Sequence, residues 1–219
     1  GTITLTGTST AGPLVGTGAN DRVTLTFTPT AGTLTLTISG SCTNVNLEAG
    51  AFASSWIPTA GASVTRDAEI LTISSPGVNY PVTLFAELER AVDTGAGETW
   101  IRLDAGSEND RAILRTSVAD LIANTVASAG VTQADVTVAG AMAINTVYKA
   151  ASAVATNRAQ IARSGILGTE DTLVTVPATP TFIRIGCNST ATLQPFGYIR
   201  RAAIFNTAMA DAALQRATT

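Results

Sequence analysis

Threonine alternating with apolar residues at a period of two is the feature that most restricts what this chain can fold into. It runs through Thr2-Ile3-Thr4-Leu5-Thr6, through Val23-Thr24-Leu25-Thr26-Phe27-Thr28, and through Thr33-Leu34-Thr35-Leu36-Thr37-Ile38. A helix would scatter such a pattern around its circumference, whereas a strand sends every second side chain to the same face. Thr supplies 36 of the 219 residues, and its branched Cβ suits a pleated, half-buried surface. The connection Pro29-Thr30-Ala31-Gly32 predicts a hairpin between the second and third runs. Its register sets Phe27 against Leu34, Leu25 against Leu36 and Val23 against Ile38, with a threonine ladder on the opposite face. Regular threonine arrays can template ordered water, but a wet strand face accounts for this one.

Composition excludes several function classes. There are 13 Lys+Arg against 16 Asp+Glu, for a net charge of −3, and Lys149 is the single lysine. No basic run is present, so the concentrated positive patch that nucleic-acid binding needs is missing. No stretch approaches the ~18 consecutive apolar residues of a membrane-spanning helix. Histidine is absent, which removes Ser-His-Asp and Cys-His catalysis and His-based zinc sites. Charged residues make up only 13% and apolar ones 45%, a balance that favours a packed core over disorder. Cys42 and Cys187 lie far apart and are expected to be buried free thiols. No signal segment is visible. A start at Gly1 without Met, inside a strand pattern, leads us to expect a piece of a longer protein.

A second kind of signal begins at Asn46-Leu47-Glu48-Ala49-Gly50 and continues to Ser54-Ser55-Trp56-Ile57-Pro58-Thr59, then Val64-Thr65-Arg66. This segment resembles one common in tailed-phage tail, fibre and spike proteins, where it closes one β-sandwich module and leads into the next. The small residues from Pro58 to Ser63 read as a linker. We therefore expect an N-terminal β segment over 1–60, ending a preceding module or adding strands, and a separate domain over 61–219.

In that second part, short strand-like runs recur every 8–15 residues or so, as in an all-β sandwich. Strands are predicted near 70–74, 81–91, 99–104, 111–116, 120–126, 131–138, 145–155, 159–163, 181–187 and 196–206. A short helix over 209–216 would follow, with Thr207 as its cap. Phe182-Ile183-Arg184-Ile185-Gly186, then Phe196-Gly197-Tyr198-Ile199-Arg200-Arg201-Ala202-Ala203-Ile204-Phe205-Asn206, then Asp211 and Leu214, resemble the closing motifs of laminin-G-like, concanavalin A-like jelly rolls. Ala162-Arg163-Ser164-Gly165 departs from the Asn-Gly turn usual there. The resemblance implies an all-β jelly-roll sandwich.

Several constellations bear on chemistry. If 105–110 is a hairpin loop, Trp100, Arg102, Asp104, Arg111 and Arg115 share one sheet face, while Ile101, Leu103, Ala112 and Leu114 share the other. An indole, three guanidiniums and a carboxylate suit a sugar, the ring for C–H faces and the planar ions for hydroxyls. The plainer alternative is a solvated face with an Asp104–Arg111 pair, or one covered by the N-terminal segment. Asp104, Glu108, Asn109 and Asp110 in the same loop are candidate oxygen ligands for Ca²⁺, against a plain polar turn. Glu87 and Glu89 stand two residues apart on one strand face, as glycosidase carboxylates can. They lack a third acid and flanking aromatics, so arginine pairing is expected. Trp56 packs a domain edge or stacks on a ligand. Gly95-Ala96-Gly97 is a turn with no helix after it to bind phosphate.

Together with the phage resemblance, these readings lead us to expect a non-enzymatic structural or adhesion module of a virion or phage-like particle (tail, fibre or head spike). It would sit at the virion surface, bind host-surface carbohydrate, contact other virion subunits and form homo-oligomers, with Ca²⁺ as the one cofactor put forward. The alternatives are a decoration or assembly protein without glycan contact, and a concanavalin-like glycoside hydrolase.

Overall fold

In the computed structural model, which describes residues 1–50, 53, 56–64, 70–93, 95–190 and 192–219, the alternating runs do become strands, but not all of them. The chain divides into two units, Gly1–Arg66 and Asp67–Thr219. In the first, β1 (Thr2–Gly7), β2 (Leu14–Val15) and β3 (Leu34–Ser39) form an antiparallel sheet in the order β2-β1-β3. The partner of β3 is β1, with Ile3 opposite Ile38 and Leu5 opposite Leu36. The predicted hairpin is thus corrected: residues 23–28 make no ladder, although Val23, Leu25 and Phe27 are the half-buried members of that run. Three segments with the same Thr–apolar alternation are interchangeable partners, and β1 takes the place. Leu5 is the only hydrophobic side chain in this unit, among the described residues, that is fully buried. Of the phage-like segment, residues 51, 52, 54, 55, 65 and 66 lie outside the described residues; Trp56 is 46% exposed.

The second unit contains β4 (Leu71–Ser74), β5 (Val82–Arg90), β6 (Glu98–Asp104), β7 (Arg111–Thr116), β8 (Ile122–Ser128), β9 (Val131–Thr137), β10 (Val147–Ala155), β11 (Arg158–Arg163), β12 (Ile166–Leu167), β13 (Phe182–Ile185), β14 (Gly197–Phe205) and the helix α1 (Asp211–Thr218). A six-stranded sheet, β4-β13-β6-β7-β8-β9, packs against a five-stranded one, β12-β11-β10-β5-β14. The core between them is set by alternation. Leu84, Ala86 and Leu88 come from one sheet, and Ile101, Leu103, Ala112, Leu114, Val126 and Ile183 from the other, all buried. Burying side chains of this size stabilises by roughly 1.5–3 kcal/mol each before entropy is counted. The buried Asn124 amide ties the two layers, donating to the carbonyls of Ala153 (3.4 Å) and Gln160 (3.3 Å).

The outer face of the five-stranded sheet carries a smaller cluster of Phe85, Ala151, Ala153 and Ala162 under Leu214 of α1. The helix begins after Ala210 with no side-chain cap, so Thr207 is not its cap. Instead, the Thr207 carbonyl accepts from the Thr83 hydroxyl (2.7 Å), whose oxygen accepts from the Met209 amide (2.9 Å). The Arg158 guanidinium then reaches the Met209 carbonyl and Asp211 (both 2.7 Å), placing a cation beside the helix's acidic first turn. Both cysteines are free, Cys187 buried and Cys42 half-buried.

Candidate functional site

Strands β6 and β7 pair in the expected register at their loop end, Asp104 opposite Arg111, Leu103 opposite Ala112, Arg102 opposite Ile113 and Ile101 opposite Leu114. Beyond that the register shifts, and Thr99 rather than Trp100 lies opposite Arg115. Trp100 is the extra residue of a β-bulge, and a bulge re-aims a side chain. Its indole is fully buried in the core, and its Nε1–H donates to the Thr116 hydroxyl at 2.7 Å. The expectation that Trp100 shares a ligand face with the arginines is therefore corrected. Arg102 is corrected in part: it stands on the outer face of the six-stranded sheet, but its side chain is buried there too.

That outer face holds a pocket of about 320 Å³. Glu98, Thr99 and Arg102 line it from β6 with Gly97 just before, Glu108 from the β6–β7 loop, Arg111, Ile113 and Arg115 from β7, Thr125 from β8, Thr132 and Asp135 from β9, and Asn188 and Leu193 from the chain after β13. Its size is at the lower end of small-ligand pockets. No aromatic ring lines it.

The arginines are held in different ways. Arg102 donates to Asp104 (2.7 Å), Glu108 (2.8 Å) and the Ser107 carbonyl (2.8 Å), so its fork is filled. Arg115 donates to the Thr125 hydroxyl (2.5 Å) and grips both oxygens of Asp135 (2.9 and 2.8 Å). Arg111, between them, has no hydrogen-bonded partner among the described residues: its closest acid is Glu108 at 3.6 Å, and its Nε is buried without an acceptor. Burial holds the Arg111 guanidinium below its ordinary pKa; Glu108 pulls against this, and the charges of Arg102 and Arg115 add to it.

The loop that closes the β6–β7 hairpin does not offer its oxygens to a cation. Asp104 accepts from Arg102, from Arg184 of β13 (2.8 Å) and from the Gly106 amide (2.8 Å). Gly106 makes that turn at φ +90°, a conformation side chains disfavour. Glu108 is taken by Arg102 and the Ser189 hydroxyl, and burial, which would raise its pKa, is outweighed by these partners so that it lies below the usual carboxylate range. Asp110 accepts from the amides of Ala129 (3.1 Å) and Ala178 (3.0 Å), and the Asn109 backbone amide donates to the Ser107 hydroxyl (3.2 Å). Two guanidiniums on Asp104 would have to be displaced before a divalent ion could use it. No group of three metal-ligating side chains occurs among the described residues.

Glu87 and Glu89 lie on the outer face of the other sheet. Glu89 accepts from Arg200 (2.6 Å), and Glu87 lies between Lys149 and Arg201 on the flanking strands. A second groove beside Asp135 is lined by Glu170 and Asp171. Those carboxylates are taken by Arg158 (2.9 Å) and the Leu173 amide (2.9 Å).

Of the five residues expected to share a ligand face, the structure brings Arg102, Arg111 and Arg115 to one pocket and places Asp104 beneath it as an arginine partner. Thr99, Thr125, Thr132, Asp135 and Asn188 went unnoticed in the sequence. Extending the polar half of the alternation from β7 across β8 and β9 would have found Thr125 and Asp135.

No family model matches the chain, and no curated protein sequence matches it. Solved structures do. The CBM40 carbohydrate-binding module of the Ruminococcus gnavus IT-sialidase, solved bound to α2,3-sialyllactose, superposes with a TM-score of 0.54 at 12% identity over 64% of this chain and 83% of that one. Its α2,6-sialyllactose complex gives 0.52 at 13% identity over the same shares. The NanB sialidase of Streptococcus pneumoniae gives 0.54 at 12% identity over 67% of this chain but only 26% of the sialidase. At these identities the likeness is one of fold, a jelly-roll β-sandwich shared with carbohydrate-binding modules.

Proposed function

We propose that the chain is a non-enzymatic carbohydrate-binding module that uses the pocket on the outer face of its six-stranded sheet. The observation that carries this is the pocket's lining: three guanidiniums, two of them held by carboxylates, with the carboxylates of Glu98, Glu108 and Asp135, threonine hydroxyls, an asparagine amide and two aliphatic side chains. Such a set supplies fixed hydrogen-bond donors and a small apolar floor, which is how sugars are oriented. The fold shared with modules that bind sialyllactose supports the reading, although fold alone does not assign function. Against hydrolysis, Glu87 and Glu89 each have basic neighbours and face away from the pocket.

We further propose, from the phage-like segment at Asn46–Thr59, that the module belongs to the surface of a virion or phage-like particle and meets host carbohydrate there. A second reading, assembly without glycan contact, draws on the first unit, where one hydrophobic residue is buried among the described residues and the sequence carries only four charged ones in 66 positions. A face with so little core and charge suits contact with other subunits, including further copies of this chain.

A glycan array probed with the full chain, with and without a calcium chelator, tests the first reading. Binding that Thr132→Trp abolishes supports it, since Thr132 is exposed at the pocket rim. No binding to any glycan, together with a stable multimer in solution, would replace it with the assembly reading. Binding that survives chelation is expected.

A further inference from the structure

The pocket's three arginines invite the question of which one is available to a ligand. Arg102 is not, since all three of its nitrogens donate to protein acceptors at 2.7–2.8 Å, and Arg115 is largely committed, its Nε to Thr125 and one Nη to both oxygens of Asp135. Their carboxylate partners are equally occupied, Asp104 by two arginines and Asp135 by Arg115 and the Thr125 hydroxyl (2.8 Å). Arg111 stands between these two systems with its Nε buried and its nearest acid, Glu108, at 3.6 Å, outside hydrogen-bonding range. Buried polar groups are normally hydrogen-bonded, and a guanidinium offers five donors that only an acceptor can satisfy. A charged donor left in this state stores a demand for an acceptor, and a planar anion meets it with two parallel N–H···O bonds.

Neutral sugar hydroxyls meet that demand less well. They bring no charge, while Arg111 stands between two further guanidiniums and has one carboxylate near it, Glu108, which is already hydrogen-bonded to Arg102. The lining also lacks an aromatic plate on which a neutral pyranose could stack. Ile113 and Leu193 supply the apolar surface instead. A cup of about 320 Å³ is sized for one sugar ring and its substituents rather than for a length of polysaccharide.

We propose that the pocket selects an anionic sugar, with the Arg111 guanidinium receiving the anionic group, a carboxylate or a sulfate ester. This rests on the reading of the pocket as a carbohydrate site and names the ligand class within it. Arg102 and Arg115 act as positioning residues whose charge favours the anion without touching it.

The test is titration of the full chain with 3′-sialyllactose, a galacturonate trisaccharide, 3′-sulfolactose and lactose, at low and at physiological salt. The expected result is that at least one anionic probe binds ten-fold or more tightly than lactose and weakens as salt rises. Carboxylated and sulfated probes tell the two sources of the anion apart. Arg111→Ala should abolish that preference, and Arg111→Lys should restore only part of it, because an ammonium is a point charge without the fork. Circular dichroism of each variant checks that the sandwich is folded. Lactose binding as tightly as every anionic probe, with Thr132→Trp blocking both, would overturn this inference and leave the carbohydrate reading standing. Failure of all four probes and of the wider glycan array would remove both.

Discussion

Two arginine clusters in the sandwich use the same residue types and end in opposite states. Around Arg90, which is fully buried, Glu98 lies at 2.9 Å, Asp120 at 2.8 Å and Asp93 at 3.1 Å. Burial works against the Arg90 charge, and Glu98 and Asp120 more than restore it. Around Arg102, Arg111 and Arg115, Asp104, Glu108 and Asp135 satisfy two guanidiniums and leave the third at 3.6 Å from its nearest acid. In the first cluster every acid lies within 3.1 Å of the cation, although the Arg90 Nε–Glu98 contact is an ion pair rather than a hydrogen bond, and the cluster ties the connection after β5 to the turn before β8. The second is one acceptor short, and that shortfall opens onto a pocket. The lesson is that two clusters of the same residue types differ in how closely the protein brings acids to the guanidinium, and on the proposed reading the one left more open is where a ligand would enter.

The comparison breaks most readily at Arg90. Arg90→Met leaves Glu98 and Asp120 facing each other without a cation, and removing one partner from a buried ionic cluster costs about 3–5 kcal/mol. Urea denaturation should show that loss; a change under about 1 kcal/mol would mean the cluster is not a structural unit. Trp100→Phe comes next. It keeps most of the core volume but removes the N–H that the Thr116 hydroxyl accepts, leaving that hydroxyl only its bond to the Met142 sulfur, at an expected cost of about 1–2 kcal/mol, with sugar binding unchanged. Lost binding in a folded Trp100→Phe protein would return the indole to the ligand face.

Smaller effects sharpen the second cluster. The Glu108 carboxyl sits below its ordinary value of 4.5 in the folded state, so the stability it contributes is present above that value and is lost as pH falls through the lower, folded value. Glu108→Gln should therefore flatten the acid limb of a stability–pH profile. About half of the side chain is exposed, and solvent screening keeps the difference below about 1 kcal/mol. An unchanged acid limb would show that Glu108 is not held by Arg102 in solution. Arg111→Ala is expected to shift stability least, within about 0.5 kcal/mol, since it breaks no hydrogen bond, yet to cost the most in anionic-sugar affinity. A large loss of stability there would make Arg111 a structural residue after all.

The strands of the second unit were legible because their alternation is strict. Ala112 and Leu114 point into the core while Arg111, Ile113 and Arg115 point out, and β7 ends where the sequence reading ends it. Trp100 was not legible, because a bulge changes the phase of the alternation without changing any residue type. The threonine-rich runs of the first unit failed for a different reason: their pattern specifies a strand with one apolar face but not its neighbour. Thr207 fits a helix cap by type, but the helix begins only after Ala210, beyond reach of a cap at that position, and the Thr207 carbonyl instead accepts from Thr83 of β5. Arg111 could be placed on a face from sequence, whereas its want of a partner depends on where Arg102, Asp104 and Asp135 spend their bonds, and only three-dimensional neighbours decide that.

The bulge at Trp100 also bears on how this surface can diverge. Loss of the single codon for Thr99 would restore an unbroken two-residue rhythm along β6 and set the indole opposite Arg115, over the pocket. The core would lose its largest side chain, and a cup lined by guanidiniums would gain an aromatic wall. On the proposed reading, two recognition chemistries, one for charged sugars and one for the faces of neutral ones, would be a one-residue deletion apart on the same scaffold, with the register of a strand rather than its composition deciding between them.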